Sequence, residues 1–564
     1  MKFAKWIING YDRNAAVALT RCGINPLVAV FLSARGYRTY EAACAILDND
    51  LSLVLDPFLL RDMDKAVERI RSAIQSRERV AIYGDYDVDG MTASCLLATF
   101  FRSHGVEYEI YIPERTEEGY GVNTAALDYL KSRGVSLVVT VDSGITAVEE
   151  SKYAREIGLD LIITDHHECK PALPEAIAVV NPKRRDCPYP NKGLSGVGVA
   201  FKLVCALERN KPIETLFEQY GDFVAVGTIA DVMPVLGENR ILIRRGLEAL
   251  NRKRRPGLRS LIREACIERR DITVPMIGFV LAPRLNAAGR MGRTSLTIDL
   301  LLTEDDAEAA ALTQELCTLN AERKQVETAI FEEAQAHLMK NLPKGPIVLA
   351  GRGWYQGVMG IVAARITEQF YFPSVVISIG EDGIGRGSCR SFSGFRIYSA
   401  LEKCSDLLIN YGGHEMAAGI TILEENIDAF RERLNKLYHE EIKIPPVPTL
   451  LVDFEVIKPE LLSLENVAAL ERTEPYGNGL VPPFLCMRDV FLNSVVPVGG
   501  GRHTKLRVTK LGRTFDCICF NWSAEDLGVK EGDRVNIAFE PQVNEYRSWR
   551  NVQLNILDIR PHSE

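Results

Sequence analysis

A chain of 564 residues, 46% of them hydrophobic and 25% charged, is too long for one ordinary core and predicts three or four globular domains of about 150 residues each. No uninterrupted apolar stretch has the length that spans a bilayer, which argues against a membrane protein, and the start "MKFAKWIINGYDRNAA" lacks the apolar core of a signal peptide, so a cytoplasmic location is expected. The net charge of −8 removes a global basic field, so any contact with nucleic acid must come from local Lys/Arg grooves.

In chain order, residues 1–75 are expected as an N-terminal segment packing on a catalytic domain at 76–302. Within that domain "RVAIYG", "VEYEIYIP", "VSLVVTVD", "LDLIITD" and "AIAVVNP" alternate with helical stretches, the pattern of a parallel α/β sheet, and residues 193–302 read as mainly helical. The segment "EDDAEAAALTQELCTLNAERKQVETAIFEEAQAHLMK" contains neither Gly nor Pro, so 303–342 predicts one long helix or a closely spaced pair. "GPIVLAG", "PSVVISIG" and "GVMGIVAARITEQF" predict a second α/β domain over 343–447, closed by the Pro-rich linker "KIPPVPT". Short strands from 448 to 564 suit a small antiparallel barrel of OB-fold type. The 13 cysteines sit in hydrophobic contexts such as "TASCLLA" and no C-x-x-C occurs, so no structural zinc is expected.

The chemistry concentrates after the sheet strands. "GDYDVDG" places Asp85, Asp87 and Asp89 on alternate positions directly after "RVAIY". In an extended segment these side chains converge, and packed like charges raise one another's pKa unless a cation neutralises them; the same spacing also suits a solvated turn. "VSLVVTV" ends at Asp142, and "LDLIIT" at Asp165, His166 and His167. The carboxyl ends of strands in an open α/β sheet share one crevice, so these groups can meet there, joined by Asp231 of "GTIADVMP". Carboxylates with histidine and without cysteine favour Mn²⁺ or Mg²⁺, with histidine tilting toward Mn²⁺. Two such ions about 3.5–4 Å apart would hold the oxygens of a phosphoryl group, which suits phosphoester hydrolysis.

The motifs "DYDVDG", "VDSGI", "DHHE" and "GTIADVMP", in this order, resemble those of the DHH phosphoesterase superfamily, and "GYGVN", "RLNAAGRM" and "GGHEMAAG" resemble its RecJ-type single-strand-specific exonucleases. The resemblance covers nearly the whole chain. It implies a dinuclear metal site held by Asp87, Asp89, Asp142, His166 and Asp231, with Asp85 as a sixth candidate, and His167 beside them to contact the scissile phosphate or assist the leaving oxygen. It makes the second α/β unit a DHH-associated domain. There Ser388 and Arg390 of "GRGSCRSFSGF" would clamp a terminal 5′-phosphate, with Arg115 of "IPERTEEGYG" contributing, and His414 of "GGH" would approach phosphate. Arg284, Asn286 and Arg290 would contact phosphate or base.

The activity so implied is 5′-to-3′ hydrolysis of single-stranded DNA to 5′-mononucleotides in repair and recombination, by a monomer with no membrane contact. A single-strand-binding protein and a helicase are the implied partners. Lys505, Arg507, Lys510 and Arg513, with Tyr546, Trp549 and Arg550 in "NEYRSWRN", are candidate strand contacts of the barrel. Two rivals remain at this stage. One is a DHH phosphodiesterase for short oligonucleotides or cyclic dinucleotides, disfavoured by residues 450–564. The other is a non-catalytic replication scaffold, disfavoured because every motif acid is present.

Overall fold

The computed structural model describes residues 2–114, 121–268, 271–340, 342–392, 394–546 and 549–562. Two compact units share the chain: Met1–Leu51, Val235–Gly237 and Pro446–Glu564 form one, Ser52–Pro234 and Glu238–Pro445 the other.

The chain begins in the first unit with strand β1 (Lys5–Ile8), which pairs in parallel with Thr449–Val452. Helices α1 (Arg13–Arg21), α2 (Pro26–Ala34) and α3 (Tyr40–Leu47) follow, opened by Asp12, Asn25 and Thr39, whose side chains accept from backbone amides of the first turn. Leu27, Phe31 and Leu32 of α2 share a core with Phe515, Ile537 and Leu554. The segment expected over residues 1–75 is divided between the two units, 1–51 in the first and 52–75 in the second. Residues 1–51 bury their apolar faces against the C-terminal strands, and the guanidinium of Arg35 is forked onto the buried carboxylate of Asp453.

The second unit starts with α4 (Met63–Ser76) and a sheet formed by β2 (Val80–Tyr83), β3 (Tyr108–Tyr111), β4 (Leu137–Val141), β5 (Asp160–Thr164) and β6 (Ala178–Val180) in the order β3-β2-β4-β5-β6. Every pair is parallel. The intervening helices are α5 (Val88–Ser103), α6 (Thr124–Ser132) and α7 (Val148–Glu156). All residues of β2 and β4 are buried, as expected of parallel strands covered on both faces. Then come α8 (Gly196–Leu207), α9 (Ile213–Ala230), α10 (Gly237–Asn251), α11 (Pro256–Glu264), α12 (Val274–Met276), a π-helical turn Ile277–Leu281, α13 (Ala282–Arg290) and α14 (Thr294–Leu302).

One continuous helix, α15 (Asp306–Lys340), occupies the connecting segment and spans about 52 Å at 1.5 Å per residue. Its buried positions, among them Ala309, Thr313, Leu316, Asn320, Arg323, Glu327, Ile330 and Ala334, follow the three-and-four spacing of one helix face. The second sheet is built from β7 (Ile347–Arg352), β8 (Ser374–Ile379), β9 (Ile384–Arg390), β10 (Leu408–Gly413) and β11 (Ala417–Leu423) in the order β10-β11-β9-β8-β7. Its helices are α16 (Met359–Phe370), α17 (Ile397–Glu402) and α18 (Ile427–Glu441).

The chain returns to the first unit through β12 (Thr449–Val452), β13 (Phe454–Glu455) and α19 (Leu464–Ala469). Strands β14 (Leu485–Val498), β15 (His503–Lys510), β16 (Arg513–Cys519), β17 (Arg534–Tyr546) and β18 (Trp549–Pro561) then close a five-stranded barrel, β17 pairing back onto β14. The expected barrel is present, but not wholly antiparallel, since β16 and β18 run in parallel. Among the described residues no helix is long and apolar enough to cross a membrane.

Candidate metal centre

The three acids of "GDYDVDG" do not lie on one extended face. The strand ends at Tyr83 and the helix begins at Val88, so Asp87 is the N-cap of α5, its carboxylate accepting from the amides of Asp89 (2.9 Å) and Gly90 (3.1 Å). Asp85 is buried and accepts from the amide of Tyr86 at 2.8 Å. The acids converge because the chain turns sharply from strand to helix there, a turn that helix α13 braces. Asn286 accepts from the amide of Val88 at 3.1 Å, and Gly289 lies so close to the Tyr86 carbonyl that any Cβ at 289 would overlap it.

Asp89 sits in the first turn of α5, almost wholly buried, and is gripped by the N-terminus of α8: Gly196 N–H donates at 2.6 Å and Val197 N–H at 2.8 Å. Asp142 follows β4 with φ +60, a left-handed conformation that is uncommon outside glycine and that clusters at functional sites. Gly196 makes room for it, since a Cβ at 196 would overlap the Asp142 side chain. Two residues after β5 come His166 and His167, and Asp231 closes the C-terminal end of α9.

These separate elements bring their side chains together. His166 Nε2 lies 3.1 Å from Asp142 Oδ1, 3.6 Å from Asp231 Oδ2 and 4.0 Å from Asp89 Oδ2. Asp85, Asp87 and Asp142 form a second set with ligand atoms within 4.8 Å of one another, and Asp142, His166 and His167 a third. Burial, then the charge of Asp87, pushes the Asp89 carboxyl up to about 7. Burial and the charges of Asp89 and Asp87 push Asp231 up to about 8, and burial with the same neighbours raises Asp142 well above the usual carboxylate range. Burial and the charge of His167 bring His166 down to about 3, so its ring is a neutral donor to a cation. Asp142 Oδ1 and Asp231 Oδ2 are buried without a hydrogen-bond partner among the described residues. Unpaired carboxylate oxygens facing a neutral imidazole fit a hard divalent cation, so the donor set suits Mn²⁺ or Mg²⁺.

Comparison with known proteins agrees with this chemistry. Residues 79–228 match the DHH family, N-terminal domain, residues 344–440 the DHHA1 domain, and residues 452–558 the RecJ OB domain. The single-stranded-DNA-specific exonuclease RecJ of Bacillus subtilis (strain 168) is 39% identical over 559 residues, covering 98% of this chain and 70% of that protein. The namesake protein of Escherichia coli (strain K12) is 34% identical over 564 residues, covering 95% and 96%. This chain belongs to the RecJ family. The crystal structure of RecJ in complex with Mn²⁺ from Thermus thermophilus superposes with a TM-score of 0.84 at 29% identity, over 99% of this chain and 80% of that one. RecJ from the same source has also been crystallised with Mg²⁺, a structure with a TM-score of 0.78 at 28% identity.

Sequence reasoning placed Asp165 of the "DHHE" motif in the crevice of this RecJ-family site but gave it no role there. Asp165, buried, accepts from the amides of His166 (2.7 Å), His167 (3.0 Å) and Ile145 (2.9 Å), and its Oδ1 lies 2.8 Å from His167 Nδ1. Burial alone would lower His167; the Asp165 hydrogen bond and charge outweigh it and lift the imidazole to about 9. In the metal-free chain the Asp165 carboxylate thus favours a protonated His167 beside the acid cluster, held from behind.

The remaining predicted contacts divide. Ser388 and Arg390 lie together near the end of β9, Arg390 Nη1 donating to Ser388 Oγ at 3.0 Å, with Gly360 of α16 close against both. Ala417, the register partner of Arg390, accepts from the amide of His414 at 2.8 Å, so His414 stands at the same end of the sheet. Burial, then the charge of His167, lowers the His414 imidazole. Arg290 donates to the Gly357 carbonyl at 3.3 Å, and its own carbonyl accepts from Tyr355 Oη at 3.0 Å, so α13 is tied to the turn between β7 and α16. Arg284 instead donates to the Val280 carbonyl at 2.6 Å, in the π-helical turn just before its own helix. Arg115 lies outside the described residues.

On the barrel, Lys505 and Arg507 are exposed, alternating with buried Leu506 and Val508 along β15. Arg507 is paired with Asp516 at 3.2 Å, and Lys510 donates to the Arg488 carbonyl at 2.6 Å. The Arg513 guanidinium lies 6.0 Å from the Phe515 ring. Trp549 is exposed, and Arg550 lies 3.9 Å from both Glu471 and Glu545. The Tyr546 side chain is outside the described residues.

Proposed function

We propose that this chain hydrolyses single-stranded DNA from its 5′ end, releasing 5′-mononucleotides, in repair and recombination. The observation that carries the reading is the convergence of Asp85, Asp87, Asp89, Asp142, His166 and Asp231 into one largely buried cluster with His167 beside it, in a chain of the RecJ family. Asp87, Asp89, Asp142, His166 and Asp231 would hold two divalent ions, Mn²⁺ or Mg²⁺, with Asp85 as a sixth ligand. When bound, such ions neutralise the acids and polarise a phosphodiester and a water molecule.

The protein's own groups then have distinct tasks. His166 enters the cluster neutral and serves as a nitrogen ligand. His167, cationic and fixed by Asp165, meets the non-bridging oxygens of the scissile phosphate and is placed to give its Nε2 proton to the departing 3′-oxygen. Ser388 and Arg390 receive the terminal 5′-phosphate, for which the planar guanidinium is suited, and this anchorage sets the polarity of attack. Arg115, Arg284, Asn286, Arg290 and His414 complete the strand contacts. Residues 76–302 act as the catalytic domain, 303–342 as the connecting helix, 343–447 as the substrate-clamping domain and 448–564 as the strand-holding barrel. A cytoplasmic monomer working with a single-strand-binding protein and a helicase fits this role.

The test uses one strand labelled at its 5′ or at its 3′ end, incubated with Mn²⁺. Release of labelled mononucleotide from the 5′-labelled strand at first turnover, with progressive shortening of the 3′-labelled one, is expected. Release from the 3′ end first would reverse the polarity, and no cleavage of either strand would overturn the reading.

A further inference from the structure

Beside the acid cluster the second unit holds a cleft of about 490 Å³, reached from Ala230, the neighbour of Asp231. Its wall includes the π-helical turn between α12 and α13, a rare conformation that recurs at functional sites. Gly278 of this turn faces inward, with Ile229 about 4 Å from where its Cβ would stand. The next residue, Phe279, points outward and is 84% exposed, the most exposed aromatic ring among the described residues. A single exposed ring is ordinary on a protein surface, but this one borders the cleft beside the acid cluster, where it offers a flat face to whatever enters.

Charge says what the cleft suits. The cleft is lined by three cations, Arg290, Arg323 and Lys324, against one carboxylate, Glu327. Glu327 is already neutralised by Arg323 at 2.6 Å and Arg365 at 2.9 Å, while Arg323 is also fixed to Asn320 at 3.1 Å. Lys324 is exposed and makes no ion pair among the described residues. The surface therefore offers a bare aromatic face, a cation at the rim and a volume of the size that takes one small ligand. An apolar protein segment would leave the Lys324 ammonium unanswered. A nucleotide answers both, its base stacking on the ring and its phosphate meeting the ammonium.

We propose that this cleft is a nucleotide subsite, in which one base of the single strand stacks on Phe279 while Lys324 meets an adjacent phosphate. The inference rests on the proposed function, which supplies the strand. Phe279 is a binding and positioning residue that holds the strand in line with the acid cluster; it takes no part in bond breaking.

The experiment compares the full chain with Phe279→Ala, Phe279→Trp and Lys324→Ala on 5′-phosphorylated single strands in Mn²⁺. Phe279→Ala should raise KM about ten-fold with kcat little changed, Phe279→Trp should restore it, and Lys324→Ala should raise KM several-fold with a shallower salt dependence. A series of strands, each with one abasic position counted from the 5′ end, then locates the stacked base. At one position the KM of Phe279→Ala relative to wild type should fall from about ten-fold to about equal. Equal KM for wild type and Phe279→Ala, or a ratio indifferent to every abasic position, would overturn the subsite. Were wild type itself to leave every strand uncut, the proposed function would fail on its own, and binding of a 2-aminopurine strand would still judge the cleft. Quenching by wild type but not by Phe279→Ala supports it, and equal quenching overturns it.

Discussion

Asp165 Oδ1 lies 2.8 Å from His167 Nδ1 while the same carboxylate also receives the amides of His166, His167 and Ile145. One buried anion thus fixes the backbone of the loop after β5 and the charge and orientation of the second histidine. An amide at 165 would keep the shape but lose the charge that holds His167 protonated. Asp165→Asn is expected to lower kcat at least 100-fold, the range of a lost general acid, while Mn²⁺ affinity changes much less. Single-turnover cleavage together with calorimetric Mn²⁺ titration checks this. Parallel loss of metal affinity and rate would mean that Asp165 acts on the cluster and not through His167.

A methyl group is enough to test the close approach at the start of α8. Gly196→Ala places a Cβ into the Asp142 side chain while leaving both partners' polar groups in place. Asp142 must then move away from His166, and Mn²⁺ affinity is expected to fall about 10- to 100-fold, as for other supporting residues of a metal site. Titration of the purified variant measures it, with circular dichroism to register the fold. Unchanged affinity would show that the approach is relieved by a backbone shift without cost.

The carboxylates also make a pH signature for the metal-free protein. Asp89 at about 7 and Asp231 at about 8 hold protons that the unfolded chain, titrating near 4, has released. Between about pH 4 and pH 8 the native state therefore binds more protons than the unfolded one, and its stability falls as pH rises through that window. Asp231→Asn removes one of these groups, so its melting temperature in chelator should gain on wild type from pH 5 to pH 8, by about 2 °C or more. With Mn²⁺ added the order should reverse. A constant difference in chelator across that range would show that the cluster carries no such penalty.

Arg390 tests the polarity argument. Its guanidinium, beside Ser388 Oγ at 3.0 Å, is expected to make a charge-assisted contact to the terminal phosphate. Arg390→Ala should reduce the preference for a 5′-phosphorylated over a 5′-hydroxyl strand about 10- to 100-fold while sparing turnover of the hydroxyl strand. Competition between the two strands in one reaction gives the ratio directly. A preference equal to that of wild type would place the phosphate pocket elsewhere.

Much of this was legible before the structure because strand ends in a parallel sheet share a crevice, so acids after β2, β4 and β5 had to meet. What was not legible was the route. The alternation of Asp85, Asp87 and Asp89 suggested one extended face, whereas Asp87 caps a helix and Asp89 belongs to its first turn. Caps and alternation read alike in a four-residue window, and only the amide partners separate them. The role of Asp165, unlike its place in the crevice, was equally hidden, since its neighbours, not its own type, make it a positioning anion. The pairing of β1 with β12 bridges more than 440 residues, a separation across which local periodicity carries no information. The outward ring of Phe279 depends on a π-helical turn, which has no hydrophobic period of its own.

That distant pairing decides how the chain can be shortened. A chain ending at Pro445 would lose β12 and the barrel, and with them the partners of β1 and α2, leaving Leu27, Phe31 and Leu32 in water. Three such side chains left uncovered cost several kcal/mol at about 1.5–3 kcal/mol each, so residues 1–51 are expected to unfold and bind a hydrophobic dye. Removing residues 1–51 as well takes that apolar surface away, so the 52–445 chain should bind less dye than the 1–445 chain. It retains the acid cluster and the second α/β sheet and is expected to cleave very short strands while holding long ones poorly. If the barrel tracks several phosphates, its loss should flatten the dependence of log affinity on log salt by about 0.7 for each contact. Fluorescence anisotropy of one long oligonucleotide at a series of salt concentrations measures the slope. A slope for 52–445 equal to that of the full chain would show that the strand is held by the second unit alone, and equal dye binding by both shortened chains would show that the N-terminal helices do not need the barrel.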